Sequence, residues 1–195
     1  MKNKMKKVIL ILALMATSIG VAQVKTTTET DDFSGKQRIT TDMWTGFGLT
    51  GIGKEASASI HHTVGGFTSI MILVTADLGC FSELRSKIEV KLSNGEILEF
   101  VQMSKTTCKS TNALFFLLAS KEDVDSGSMK VVEQAIESNI EKLLNNDWEM
   151  IRLTGTRAYT DIKPKQSRRI NAPEEFFKQH LQAILNEVDS LSSEK

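Results

Sequence analysis

The residues able to do chemistry in this chain are few. Three histidines stand at 61, 62 and 180, two cysteines at 80 and 108, and a glycine-rich stretch runs Gly46-Phe-Gly48-Leu-Thr-Gly51-Ile-Gly53-Lys54. Each suggests a different chemistry, and each can be weighed against its neighbours in sequence. The histidines offer metal ligation or acid–base work. The cysteines offer a disulfide, a nucleophile or soft-metal ligands. The glycines offer a phosphate cradle.

The glycine stretch matches G-x-G-x-x-G through Gly46, Gly48 and Gly51, and nearly matches a P-loop through Gly48, Gly53 and Lys54. Both motifs need a strand before and a helix after, because the phosphate sits at the helix N-terminus. Here the following segment, EASASIHH, has strand character. Glu55 also replaces the Ser or Thr that would hold Mg²⁺ and would repel a phosphate. The stretch is therefore read as a glycine loop, with no nucleotide or other cofactor.

His61 and His62 are adjacent on a predicted strand, so their side chains point to opposite faces and cannot chelate one ion. One of them could pair with a distant acid such as Asp77 or Glu83. If the chain is an enzyme, a hydrolase or metal-dependent one, its scattered site residues are expected around these two histidines. His180 lies between Phe177 and Leu181 and is read as a boundary residue of a helix stripe. No serine lies in G-x-S-x-G. No His stands two to four residues from either Cys, as paired metal ligands would require. Neither a metal site nor a catalytic residue is assigned. Lys163, Lys165, Arg168 and Arg169 make a short basic segment, read as a solvated loop.

The cysteines carry the most specific expectation. Ile88, Val90 and Leu92 alternate along Lys87 to Ser93, a turn follows at Ser93-Asn94-Gly95, and Glu96 to Met103 returns. A two-residue Asn-Gly turn would pair Val90 with Glu99. A three-residue turn with Gly95 in the left-handed conformation pairs Val90 with Leu98 and Ile88 with Phe100, keeping the apolar set on one face. Extended down both arms without a slip, that register sets Cys80 opposite Cys108, within disulfide reach.

A disulfide needs an oxidising compartment, and the N-terminus supplies one. Lys2, Lys4, Lys6 and Lys7 precede an apolar run from Val8 to Met15, and Gly20-Val21-Ala22 presents small residues at the −3 and −1 positions of a signal peptidase site. The run is short of the ~20 residues a membrane span needs. Residues 1–22 are therefore read as a signal peptide, 23–36 as a flexible lead-in and 37–190 as one domain. The product is expected to be soluble, periplasmic or extracellular, without a membrane span. The leader holds four of the 24 basic residues and none of the 24 acidic ones, leaving 20 against 24, a net charge of −4. That balance argues against nucleic acid as a partner and leaves a protein or small-molecule ligand.

The remaining elements follow from periodicity. Gln37 to Trp44, Ala56 to Thr63 and Phe67 to Thr75 read as strands, the last two joined by a two-residue turn at Gly65-Gly66. Ala113 to Ala119 is apolar on both faces, as a central strand is. Ser120 with Asp123 forms a capping box. Val132, Ile136, Ile140 and Leu143 mark one helix face, and Phe177, Leu181, Ile184, Val188 and Leu191 another. Trp148 to Thr154 and Arg157 to Lys163 form a hairpin around Gly155. Short connections with no helix between the early strands indicate antiparallel pairing. The expected fold is α+β: a meandering antiparallel sheet of about six to eight strands under two helices, one of them C-terminal. Its core should include Ile88, Val90, Leu98, Phe100, Leu114, Phe116, Leu118, Ile140, Leu181 and Ile184.

Asp31-Asp32-Phe33-Ser34-Gly35, the hairpin Lys91 to Glu96, and Leu118-Ala119-Ser120-Lys121-Glu122-Asp123 together resemble small exported bacterial proteins of unknown function that begin with an Asp-x-Phe-Ser/Thr-Gly segment. The resemblance implies an exported β-rich domain and brings no catalytic residue with it. The reading is a non-enzymatic binding or envelope-associated accessory domain.

Overall fold

A computed structural model describes residues 24–32, 34–49, 55–166 and 172–193. The leader at 1–22, the stretch from Gly51 to Lys54, and Arg168 and Arg169 lie outside these residues.

Among the described residues ten antiparallel strands form one sheet: β1 (Thr26–Thr30), β2 (Gln37–Thr41), β3 (Trp44–Leu49), β4 (Glu55–Thr63), β5 (Thr68–Thr75), β6 (Lys87–Leu92), β7 (Ile97–Gln102), β8 (Thr111–Leu117), β9 (Trp148–Thr154) and β10 (Tyr159–Lys163). Three helices accompany them: α1 (Lys121–Asp125), α2 (Met129–Asn145) and α3 (Phe176–Ser193), the last preceded by a 3-10 turn at Pro173–Glu175. The class is α+β as expected, with more strands than the six to eight read from sequence. Two of the extra ones come from segments with weak strand signals. Thr26–Thr30, expected within a flexible lead-in, pairs along the whole of β2. Gly46 to Leu49, read as loop, continues β3 beside β4 across a bulge between Thr45 and Phe47.

The strand order is β1-β2-β4-β3-β10-β9-β6-β7-β8-β5, and β5 pairs in turn with β4, so the sheet closes on itself. β2 and β3 are two halves of one bent strand along the same edge of β4, Arg38 opposite Thr63 and Trp44 opposite Ala58. The order departs from a simple meander in two places. β8 returns to β5, and β6 takes β9 as its second neighbour, so the β6–β7 hairpin is inserted between them.

That hairpin has the three-residue turn. Ile88 faces Phe100 and Val90 faces Leu98, with Gly95 at φ +87°. The register continues into an isolated bridge between Phe81 and Thr107, and one residue further Cys80 and Cys108 are joined, their Cα atoms 4.0 Å apart. The β4–β5 turn differs from expectation. Thr63 N–H donates to the Phe67 carbonyl at 3.1 Å, so three residues close the turn and Gly65 alone takes positive φ, at +68°.

Alternation sets the core. Along β4 and β5, Ala58, Ile60, Ile70, Ile72 and Val74 point inward and are buried, joined by Ile88, Val90, Phe100, Leu114 and Phe116. Of the expected core residues only Ile140 is half-buried; the others are buried. Helix α1 starts with the capping box, Ser120 N–H donating to Asp123 Oδ2 at 2.9 Å and Asp123 N–H to Ser120 Oγ at 3.1 Å. Helix α3 buries Phe176, Phe177, Leu181 and Ile184. Their neighbours are Trp44, Phe47 and Trp148, which lie on the inward side of β3 and β9. The indole N–H of Trp148 donates to the Pro173 carbonyl at 2.8 Å, tying the entry of α3 to the sheet.

Candidate functional site

The side of the sheet opposite the core carries a cluster of convergent polar and apolar groups built from distant segments. Strand register assembles it. Residues directly opposed across strands share a face, and every second residue along a strand returns to it. One row is Arg38 on β2 opposite Thr63 on β4. The next is Thr40, His61, Ser69 and Leu117 on β2, β4, β5 and β8. The third is Ser59, Met71 and Phe115 on β4, β5 and β8. Arg38 and Phe115 are far apart in sequence and share this face only because β2, β4, β5 and β8 lie side by side.

Arg38, Thr63, His61, Ser69, Phe115 and Leu117 of these rows line a cleft of about 650 Å³, together with Lys36, Phe67, Met103, Met129 and Glu133. Its size lies within the range of small-molecule sites, roughly 300–1,000 Å³. A smaller recess of about 210 Å³ adjoins it through Lys36, Arg38 and Thr63, and is bordered also by Glu29, Asp31 and Ser34.

His61 stands in the middle. Its Nδ1 lies 3.2 Å from the Thr40 hydroxyl and its Nε2 lies 3.0 Å from the Ser59 hydroxyl. The ring meets Phe115 edge-on at 5.2 Å. Burial, and then the neighbouring Arg38 charge, lower its pKa below the ordinary histidine value, so it is a neutral imidazole held between two hydroxyls. His62 points to the other face, as expected, and its Nδ1 lies 2.9 Å from the Thr68 hydroxyl. Burial lowers its pKa too. The acids considered as partners are elsewhere: Asp77 faces Arg157 at 3.4 Å, and Glu83 contributes a backbone N–H to Thr106 at 3.2 Å. Among the described residues no group of three or more His, Cys, Asp or Glu is placed to share a metal ion.

Sequence reasoning missed His180. It is a core residue, fully buried, with its ring 4.7 Å from Trp44 and 4.2 Å from Phe176. Sequence reasoning also missed Arg38 and Phe115 as site residues. Nothing local marks them, since each is one alternating position on an ordinary strand. The cysteines are both in the disulfide, which leaves neither as nucleophile or ligand. Trp44 and Trp148 are buried in the aromatic cluster under α3, whereas Tyr159 is exposed beneath the Arg152 guanidinium, 4.7 Å from its ring centre.

Together these features define an α+β domain on a closed antiparallel sheet, with a ligand-sized cleft on the sheet's outer side. No protein family, no curated protein and no solved structure matches this chain.

Proposed function

We propose that the protein is an exported, non-enzymatic binding domain and that the cleft around His61 holds its ligand. The observation that carries this reading is the cleft's composition: an apolar wall with a few convergent polar groups, the usual make-up of a small-molecule site. Export rests on the N-terminal pattern of Lys2 to Ala22, and the Cys80–Cys108 bond is compatible with an oxidising compartment.

The second reading, a hydrolase, is favoured by one contact, Ser59 Oγ to His61 Nε2 at 3.0 Å. Two features weigh against it. Ser59 is 1% exposed, so the hydroxyl that His61 would have to activate is not open to a substrate. The other ring nitrogen meets a threonine hydroxyl where a triad would place a carboxylate.

The test is purification of the exported protein in native form, followed by mass spectrometry of extracted small molecules. A near-stoichiometric compound is expected from the native chain and should be lost from Ser69→Trp, which fills the cleft. Retention of the compound by Ser69→Trp, or stoichiometric labelling of Ser59 by a fluorophosphonate, would overturn the reading.

A further inference from the structure

The cleft is polarised from end to end. At one end stand Lys36 and Arg38. Among the described residues neither forms a salt bridge, although Lys87, Lys91, Lys142, Arg152 and Lys178 on other parts of the surface all do. Glu29 stands opposite Arg38 in the β1–β2 ladder and Asp31 lies across from Lys36, yet among the described residues neither cation closes a salt bridge, so both keep donors to offer an acid group that enters the cleft. At the other end are Phe115 and Leu117, with Met103 and Met129 at the mouth, exposed by 40% and 60%. Methionine is flexible and polarizable, and suits a surface that must fit a long apolar body.

Two further charges decide the orientation. Glu133, on the first turns of α2, borders the apolar end and would repel an acid group there. Glu29 and Asp31 border the small recess beyond Arg38 and Lys36. Their carboxylates accept hydrogen bonds and do not suit a second anion, so the recess favours hydroxyl or amine groups of a head rather than more negative charge. His61 sits between the ends as a neutral ring, with both nitrogens engaged by hydroxyls, and so adds no charge to either.

We propose that the cleft takes a single-chain anionic amphiphile, its acid group between Lys36 and Arg38 and its apolar chain along Phe115, Leu117, Met103 and Met129. This rests on the binding-domain reading above and names its ligand class. A carboxylate head, as in a fatty acid, and a phosphate head, as in a lysophospholipid, share that chemistry.

The experiment is titration of the disulfide-bonded protein, ¹³C-labelled at methionine methyls, with decanoate, decyl phosphate and decanol. Both acids are expected to shift the Met103 and Met129 signals, leaving Met150 in place. Decanol should bind about tenfold more weakly, because it lacks the charge that the two exposed cations attract. The tighter of the two acids identifies the head group. In Lys36→Ala/Arg38→Ala, two exposed positions, the acids should fall to the affinity of decanol while decanol is unchanged. Equal binding of decanol and both acids at Met103 and Met129 would overturn the ligand class and leave the cleft reading standing. A double variant that keeps the preference for acids would do the same. No response of Met103 and Met129 to any of the three compounds would overturn the ligand class and the cleft reading together.

Discussion

Thr41 and His180 meet inside the core, the threonine hydroxyl 2.7 Å from Nδ1 of the imidazole. The same oxygen accepts the Ile60 backbone N–H at 2.9 Å. One hydroxyl thus joins α3 to the junction of β2 and β4, while Nε2 of His180 has no hydrogen-bond partner among the described residues. An imidazole with one bond in an aromatic surround cannot hold a second, charging proton there at moderate pH.

The consequence is a pH-dependent stability. Burial pushes the His180 pKa down to about 3, from 6.5 in an exposed histidine. Below pH 6.5 the unfolded chain binds a proton that the native chain refuses, so stability is full above that pH and falls as pH drops toward 3. His61 and His62, also lowered, act in the same direction. Between pH 7 and pH 5, His180 alone should account for a loss of about 2 kcal/mol. Urea denaturation at the two pH values measures it. His180→Phe should remove about that much of the difference, and an unchanged difference would sink the assignment.

The disulfide closes a loop with a sequence separation of 28, for which chain entropy gives a stabilisation of about 3.5 kcal/mol. Cys80→Ser/Cys108→Ser should therefore fold with a lower denaturation midpoint at pH 7. Thiol titration of the unreduced, denatured native chain should find no free thiol. Two titratable thiols would contradict the pairing.

The loop that leads to Cys80 is seated on the β9–β10 turn. Thr156 N–H donates to the Cys80 carbonyl at 3.1 Å and Arg157 N–H to the Leu78 carbonyl at 3.0 Å. A Cβ on Gly155 would lie 2.2 Å from the Leu78 carbonyl oxygen, so the two backbones approach this closely only because no side chain intervenes. Gly155→Ala must push the loop away. The expected cost is about 1–3 kcal/mol, read by chemical denaturation. A cost near zero would show that the loop is not held there.

Leu181 is 1% exposed on the buried face of α3. Leu181→Ala should cost about 2–5 kcal/mol, transfer and cavity terms together. If the unfolding midpoint does not move, α3 is peripheral to the core, contrary to its packing against Trp44 and Phe47.

Much of this architecture is local, and local features were legible in the sequence. Alternation in Lys87 to Leu92 and in the returning strand specified β6 and β7. It also chose their register, because a one-residue slip would have turned Leu98 and Phe100 outward. The Cys80–Cys108 pair follows from that register, carried by the Phe81–Thr107 bridge. The stripes of α2 and α3 and the capping box at Ser120 were equally readable, since each depends on residues a turn or two apart.

What tertiary structure alone decided is everything that joins distant segments. The polar Thr26–Thr30 has no apolar alternation to mark a strand. It is held by its pairing with β2 and by hydrogen bonds from the Thr28 and Thr26 hydroxyls to Glu187, at 2.9 and 3.4 Å. His180 read as a boundary residue because its position at the stripe's edge does not reveal that Trp44 and Phe176 enclose it. The closure of β5 on β4, and the return of β8 to β5, have no signature within any one strand. A strand's period specifies which of its faces is buried but not which strand lies beside it. The cleft inherits that indeterminacy: Arg38, His61 and Phe115 each occupy an ordinary outward position, and only the lateral order of β2, β4, β5 and β8 brings cation, imidazole and aromatic ring to one site.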